Sequence, residues 1–329
     1  MKLSWVATLV GTVCLAALLV PPLVRAQAPG TAAMVTEIKN GRGRMEVRAA
    51  GGAEWRPAAP LQALRAGDAV RASANAWAVI VLSGGRGNVK VDVAASPFVV
   101  PALAPGESKA QKALGLLQSS LNYLSSGAKE PLQAVLSTRG VSRPPVILSP
   151  RNGPVLPGPL AFEWLGSRFS RYAVKVTGPG GAVLEQAALT GARFDYPAGG
   201  AALTPGVRYT FRVVGGNHPP QEAWFEVLDP ARAQAIRRDL AELEQALGPA
   251  ASPNTLVALR AGFLAGRGLM HDARIAVIAG LTKDPDEPTL HLLLANFYSK
   301  TGLPDQAAES YDEAQFLTTG GAREPAPAK

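Results

Sequence analysis

The chain of 329 residues has one cysteine, Cys14, and three histidines, His218, His271 and His291. Cys14 lies within an apolar N-terminal run from Trp5 to Val20. If that run is removed on export, no thiol remains. Disulfides, thiol nucleophiles and cysteine-ligated metal are then excluded. No two histidines have the spacing that sets zinc ligands on one helix face. Gly84-Gly85-Arg86-Gly87 is rich in glycine, but it joins two expected strands and does not open a helix, so its amides would not converge on a phosphate. No serine elbow is present. Beyond Val20 no apolar run is long enough to cross a bilayer. These absences leave no catalytic, cofactor-binding or metal-binding residue to nominate, and the sequence reads as a non-enzyme.

The chain is 47% hydrophobic and 18% charged, which fits packed domains. Its 34 glycines and 28 prolines cluster between candidate elements and favour β-rich domains with many turns. Lys2, the run to Val20, the Pro21-Pro22 break and Val24-Arg25-Ala26 or Ala26-Gln27-Ala28 form an export signal over residues 1–26. The alternative is an uncleaved signal anchor. The localisation expected is periplasmic or secreted, with no transmembrane helix after cleavage.

The formal charge of +8 is uneven. Residues 27–228 hold 21 Lys and Arg against 12 Asp and Glu, a surplus of +9. Residues 229–329 hold 10 against 13, or −3. The basic front suggests an anionic surface or peptidoglycan as a contact, though its cations stand singly and fit a solvated surface as well. Nucleic acid is not expected.

Residues 34–105 read as a small β domain. Met45-Glu46-Val47-Arg48 and Asn88–Val93 alternate apolar with polar, while Trp77–Leu82 is nearly continuous in apolar residues. Over residues 106–140, Leu114, Leu117, Leu121 and Leu124 recur at helical spacing, which predicts a connecting helix and a linker. Residues 141–229 return to short strands with frequent turns, the pattern of a β-sandwich. Residues 230–319 are helical. Asp229 and Pro230 start a first helix as cap and first-turn residue. A 34-residue spacing then relates Leu264, Gly268, Ala273 and Val277 to Tyr298, Gly302, Ala307 and Tyr311. Residues 320–329 read as a disordered tail.

Three resemblances follow. The order Trp55-Arg56-Pro57, Leu64–Val70, Ala78–Leu82 and Gly84-Gly85 resembles the FecR-type domain family, and it implies a small β fold with Trp55 as a core anchor. That family's signalling role is not implied, because the sigma-binding segment and membrane helix of its regulators are lacking here. Leu203-Thr204-Pro205-Gly206-Val207-Arg208-Tyr209 resembles the tyrosine corner of fibronectin type III and other immunoglobulin-like domains. It implies that Tyr209 bonds to the upstream backbone and that Trp164 is the core tryptophan. The 34-residue skeleton resembles the tetratricopeptide repeat, a helix pair that stacks with its neighbours and binds other proteins. The fold class expected is therefore multidomain, β then α.

The repeat geometry implies Leu292, Asn296, Ser299 and Lys300 as partner-binding residues facing a groove, with Asn296 and Lys300 as the polar pair. The matching positions of the first repeat, Ala258, Gly262, Ala265 and Gly266, are all small. His271 falls in the expected inter-helix turn, and Asp284-Asp286-Glu287 looks like a charge cluster at a helix start. The function expected is a non-enzymatic envelope scaffold or adaptor with a protein partner on the repeats. The alternative is a cell-wall or glycan-binding module using the β domains, favoured if Trp77 or Trp224 lies outside a core.

Overall fold

The computed structural model describes residues 31–102, 111–127, 145–196, 202–249 and 251–319. The export signal expected over 1–26, the linker expected after residue 127 and the tail expected over 320–329 lie outside them. The first eight strands are β1 (Ala33–Lys39), β2 (Met45–Arg48), β3 (Arg56–Pro57), β4 (Ala63–Leu64), β5 (Ala69–Ala72), β6 (Trp77–Leu82), β7 (Asn88–Val91) and β8 (Phe98–Val99). Helix α1 (Gln111–Gly127) follows. Next come β9 (Val146–Ser149), β10 (Gly153–Val155), β11 (Ala161–Leu165), β12 (Tyr172–Gly178), β13 (Gly181–Leu189), β14 (Arg193–Asp195), β15 (Arg208–Gly215) and β16 (Gln221–Val227). The chain ends in α2 (Pro230–Leu247), α3 (Pro253–Gly266), α4 (Met270–Lys283), α5 (Pro288–Lys300) and α6 (Pro304–Thr318). The β-then-α layout is present, with α1 set between two β regions.

The first β region has two antiparallel sheets, ordered β4-β1-β6-β7 and β3-β2-β5-β8. In β2, Met45 and Val47 point inward while Glu46 and Arg48 face out, which accounts for the alternation. The unbroken apolar run of β6 has another cause. Ala78, Ile80 and Leu82 enter the core between the sheets, and Val81 enters a core shared with the helices. Met34 of β1 joins Val81 there. A sheet covered on both faces needs apolar residues at every position. Trp55 departs from the expectation of a core anchor: it is half-buried, with the Arg71 guanidinium 4.2 Å and the Arg48 guanidinium 4.9 Å from its ring centroid.

The second β region pairs a five-stranded sheet, β10-β16-β15-β12-β13, with a three-stranded sheet, β14-β11-β9. Only β10 and β16 among the described strands run parallel. Phe162, Trp164, Phe211 and Phe225 fill the core between them. The Phe162 and Phe211 ring centroids are 4.3 Å apart. The Tyr209 hydroxyl accepts the N–H of Thr204 at 2.7 Å, tying the start of β15 to the preceding turn.

The helices pair as α3 with α4 and α5 with α6. Each pair turns on a glycine with positive φ, Gly268 at +79° and Gly302 at +76°. Each glycine is followed by a buried leucine, Leu269 or Leu303. The 34-residue spacing is thus one turn geometry used twice. Asp229 caps α2 by accepting the Arg232 N–H, and Ser252 caps α3 by accepting that of Thr255. Helix α1 does more than connect the two β regions. Its Leu117, Leu121 and Leu124 share one core with α2, α3 and α5. Thr31–Lys329 forms a single compact unit.

Candidate functional site

The small residues of α3 explain the placement of α1. A methyl group at Gly262 would lie 2.8 Å from the Leu124 side chain, and Gly266 faces the Tyr123 ring at 3.8 Å. The face expected to be open at Ala258, Gly262, Ala265 and Gly266 is therefore occupied by α1. On α5 the four nominated residues separate. Asn296 is buried at 7% exposure, which removes it from any open groove. Ser299 is half-buried. Lys300 is exposed, and its ammonium lies 5.1 Å from the Tyr123 ring centroid, so it caps α1 with a cation–π contact. Leu292 alone of the four lines an open cavity.

That cavity, of about 490 Å³, lies between the β3–β4 connection and the last helix pair. Leu61, Leu292, Tyr311 and Ala314 are its apolar lining, with Leu61 fully buried behind it, and Gln62, Gln315 and Thr318 are at its polar positions. Tyr311 is 40% exposed. A second cavity of about 400 Å³ shares Thr318 and Thr319 with it and carries Arg42 and Arg44 on the β1–β2 turn. Both arginines are exposed and neither pairs with a carboxylate among the described residues. The two cavities thus adjoin, one apolar and one cationic. The Asn40 side-chain amide, bonded to the Thr318 carbonyl, fixes the turn against the end of α6. Sequence reasoning missed Leu61, Arg42 and Arg44, because only the docking of the first β region on α6 brings them to Leu292.

Two polar seams hold the β regions to the helices. In the first, Glu37 of β1 accepts the Thr255 N–H at 3.0 Å and its hydroxyl at 3.0 Å. The Thr36 and Thr255 hydroxyls are 2.8 Å apart. Lys39 reaches Asp284 at 3.1 Å, the Asp286 carbonyl at 2.7 Å and Glu287 at 3.4 Å. Glu287, the N-cap of α5, is fully buried, and burial outweighs the pull of Lys39, pushing its carboxyl up to about 7. Burial also raises the Glu37 carboxyl. The helix-start reading of Asp284-Asp286-Glu287 holds at Glu287.

In the second seam, the Ser149 hydroxyl and His271 Nδ1 are 2.6 Å apart. Arg274 donates to Glu163 at 2.6 Å, and Asp272 accepts the Leu156 N–H at 3.1 Å. His271 lies in the first turn of α4, not in the turn before it. Burial, and then the nearby Arg274 cation, pull its imidazole down to about 4. Burial pushes the Asp272 carboxyl up to about 6. A serine paired with a neutral histidine has the makings of a nucleophile. Here, however, Ser149 is 2% exposed and the adjoining cavity is about 10 Å³, at the lower limit for a single water. A substrate carbonyl has no approach, so the pair acts as a structural clasp.

The described residues hold no group of three or more His, Asp or Glu placed to bind a metal ion. None of their helices is long and apolar enough to cross a membrane. Trp77 and Trp224 are half-buried, with the Lys90 ammonium 4.5 Å and the Arg208 guanidinium 4.1 Å from their respective ring centroids. No protein-family model matches the chain, and no curated protein does so.

Proposed function

We propose that the chain is an exported, non-enzymatic adaptor of the bacterial cell envelope, in which a FecR-like β domain, an immunoglobulin-like sandwich and two tetratricopeptide-type repeats form one compact unit. The observation that carries this reading is the apolar cavity at Leu292 and Tyr311 beside Arg42 and Arg44, neither of which pairs with a carboxylate among the described residues. Its partner is a protein segment that lays apolar side chains on the first cavity and an acidic side chain or terminal carboxylate on the second. Arginine suits that second role, because its fork of donors matches a carboxylate. The repeats contribute through α5 and α6, while α1 fills the rest of their shared face. The basic surplus before residue 229 supports an anionic surface as a second contact.

Pull-downs from envelope extract test the adaptor reading. The mature chain is expected to retain a protein that Leu292→Glu and Arg42→Gln/Arg44→Gln both lose and Lys300→Ala keeps. Identical captures by all four proteins would refute it.

A second reading rests on Trp77 and Trp224, whose half-exposed rings lie outside the main cores. Each stands ready to stack on a sugar ring of a cell-wall polymer. A cation already sits over each ring, which favours the adaptor. If the chain sediments with purified peptidoglycan and Trp77→Ala/Trp224→Ala abolishes this, the wall-binding reading gains.

A further inference from the structure

The turn between β11 and β12, Gly166-Ser167-Arg168-Phe169-Ser170-Arg171, plays no part in either seam or cavity. Phe169 is 85% exposed, more than any other large hydrophobic residue described, and Leu165 beside it is 41% exposed. The turn is braced from within. Ser170 donates its N–H to the Ser167 carbonyl at 3.1 Å, and Phe169 donates its own to the Ser167 hydroxyl at 3.2 Å. The Tyr172 hydroxyl donates to the Ser167 carbonyl at 2.8 Å. Gly166 packs so closely on Tyr172 that a methyl group there would overlap its hydroxyl. The phenyl ring is therefore held out on a fixed support.

Arg168 and Arg171 flank it. Both are exposed, and neither pairs with a carboxylate among the described residues. The Arg168 guanidinium stays 4.8 Å from the Phe169 ring centroid. One outward ring without a surrounding apolar patch offers too little area for a stable protein interface. An aromatic ring on a turn that also carries two exposed cations does match the interfacial zone of a bilayer, where rings settle at the headgroup level and guanidinium groups meet phosphate. The positive surplus of residues 27–228 adds long-range attraction to anionic lipid.

We propose that the Gly166–Arg171 turn docks the protein reversibly on an anionic phospholipid bilayer. Phe169 enters the boundary between headgroups and acyl chains, and Arg168 and Arg171 hold lipid phosphates. This deepens the anionic-surface part of the reading above and is independent of the cavity at Leu292. A single ring with two cations gives weak, salt-sensitive association suited to a second contact.

The test is co-sedimentation of the mature chain with vesicles of phosphatidylcholine alone or mixed with phosphatidylglycerol. Binding is expected to the mixed vesicles only, and to fall as salt rises. Phe169→Ala should weaken it about tenfold. Arg168→Gln and Arg171→Gln should each weaken it roughly fivefold. The exposure of all three side chains leaves the fold intact, which circular dichroism checks. Phe169→Trp should add a blue-shifted emission component on mixed vesicles only. If mixed vesicles bind the parent and the variants equally, the surface contact stands but the turn is not its site. If Phe169→Ala has no effect while the arginine variants do, the turn meets polyanions without entering a bilayer, and the proposal fails. If the parent ignores both vesicles at low salt, the proposal and the anionic-surface reading fall together.

Discussion

Glu287 is the residue where burial and charge conflict most. Its Oε2 accepts no hydrogen bond and has Lys39 3.4 Å away, while its Oε1 accepts the Thr289 N–H at 3.2 Å. The carboxyl titrates near 4.5 when free and at about 7 in the fold. Between those values the folded protein holds a proton that the unfolded chain releases. The stabilising contribution is therefore complete below pH 4.5 and is lost as pH rises through 7. Asp272 has the same sign, from 3.8 to about 6. His271 has the opposite sign: with a pKa of about 4 against 6.5, its contribution is complete above pH 6.5 and lost as pH falls through 4. Comparison with Glu287→Gln, measured by chemical denaturation, isolates the first effect. From pH 4.5 to 7.5 the parent should lose on the order of 2–3 kcal/mol relative to the variant. A constant difference across that range would show that Glu287 is already ionised in the fold. Neither seam was legible residue by residue. Thr36 and Glu37 stand out as polar within an apolar strand, but their partner Thr255 is more than 200 positions away.

At the scale of elements, α1 and the two helix pairs carry the account. The leucine spacing of α1 and the 34-residue repeat were both readable, because helical periodicity and a left-handed glycine are local properties. The packing of α1 into the face of α3 was not, although the small residues at Gly262 and Gly266 already signalled room for something. The same residues that make a groove roomy make it fit for a neighbouring helix, and only the tertiary fold tells which. Two consequences are measurable by denaturation midpoint. Leu121→Ala empties a fully buried position between α1 and the repeats and should cost about 2–5 kcal/mol. Gly268→Ala and Gly302→Ala place a Cβ at positive φ and should each cost about 1–2 kcal/mol. If Leu121→Ala left stability unchanged while Gly268→Ala lowered it, α1 would not be docked in solution.

At the scale of the molecule, the β regions and helices are parts of one body. Met34, Leu61 and Val81 of the first β region share a core with α1, α3 and α5. Deleting the repeats would expose that core, so point variants are the informative probes. The sequence divides this chain into separate domains because periodicity changes along it, whereas contacts between distant segments leave no periodic trace. The cavity follows from this fusion, since Leu61 comes from the first β region and Leu292 and Tyr311 from the last helix pair, more than 200 positions later. The most direct test of the adaptor reading places a photo-crosslinking amino acid at position 311, with one at the exposed Val93 as control, followed by irradiation in envelope extract. The account predicts an adduct with a defined protein from position 311 only, abolished when Leu292→Glu is added. No adduct at 311, or the same adducts at 311 and 93, would contradict it.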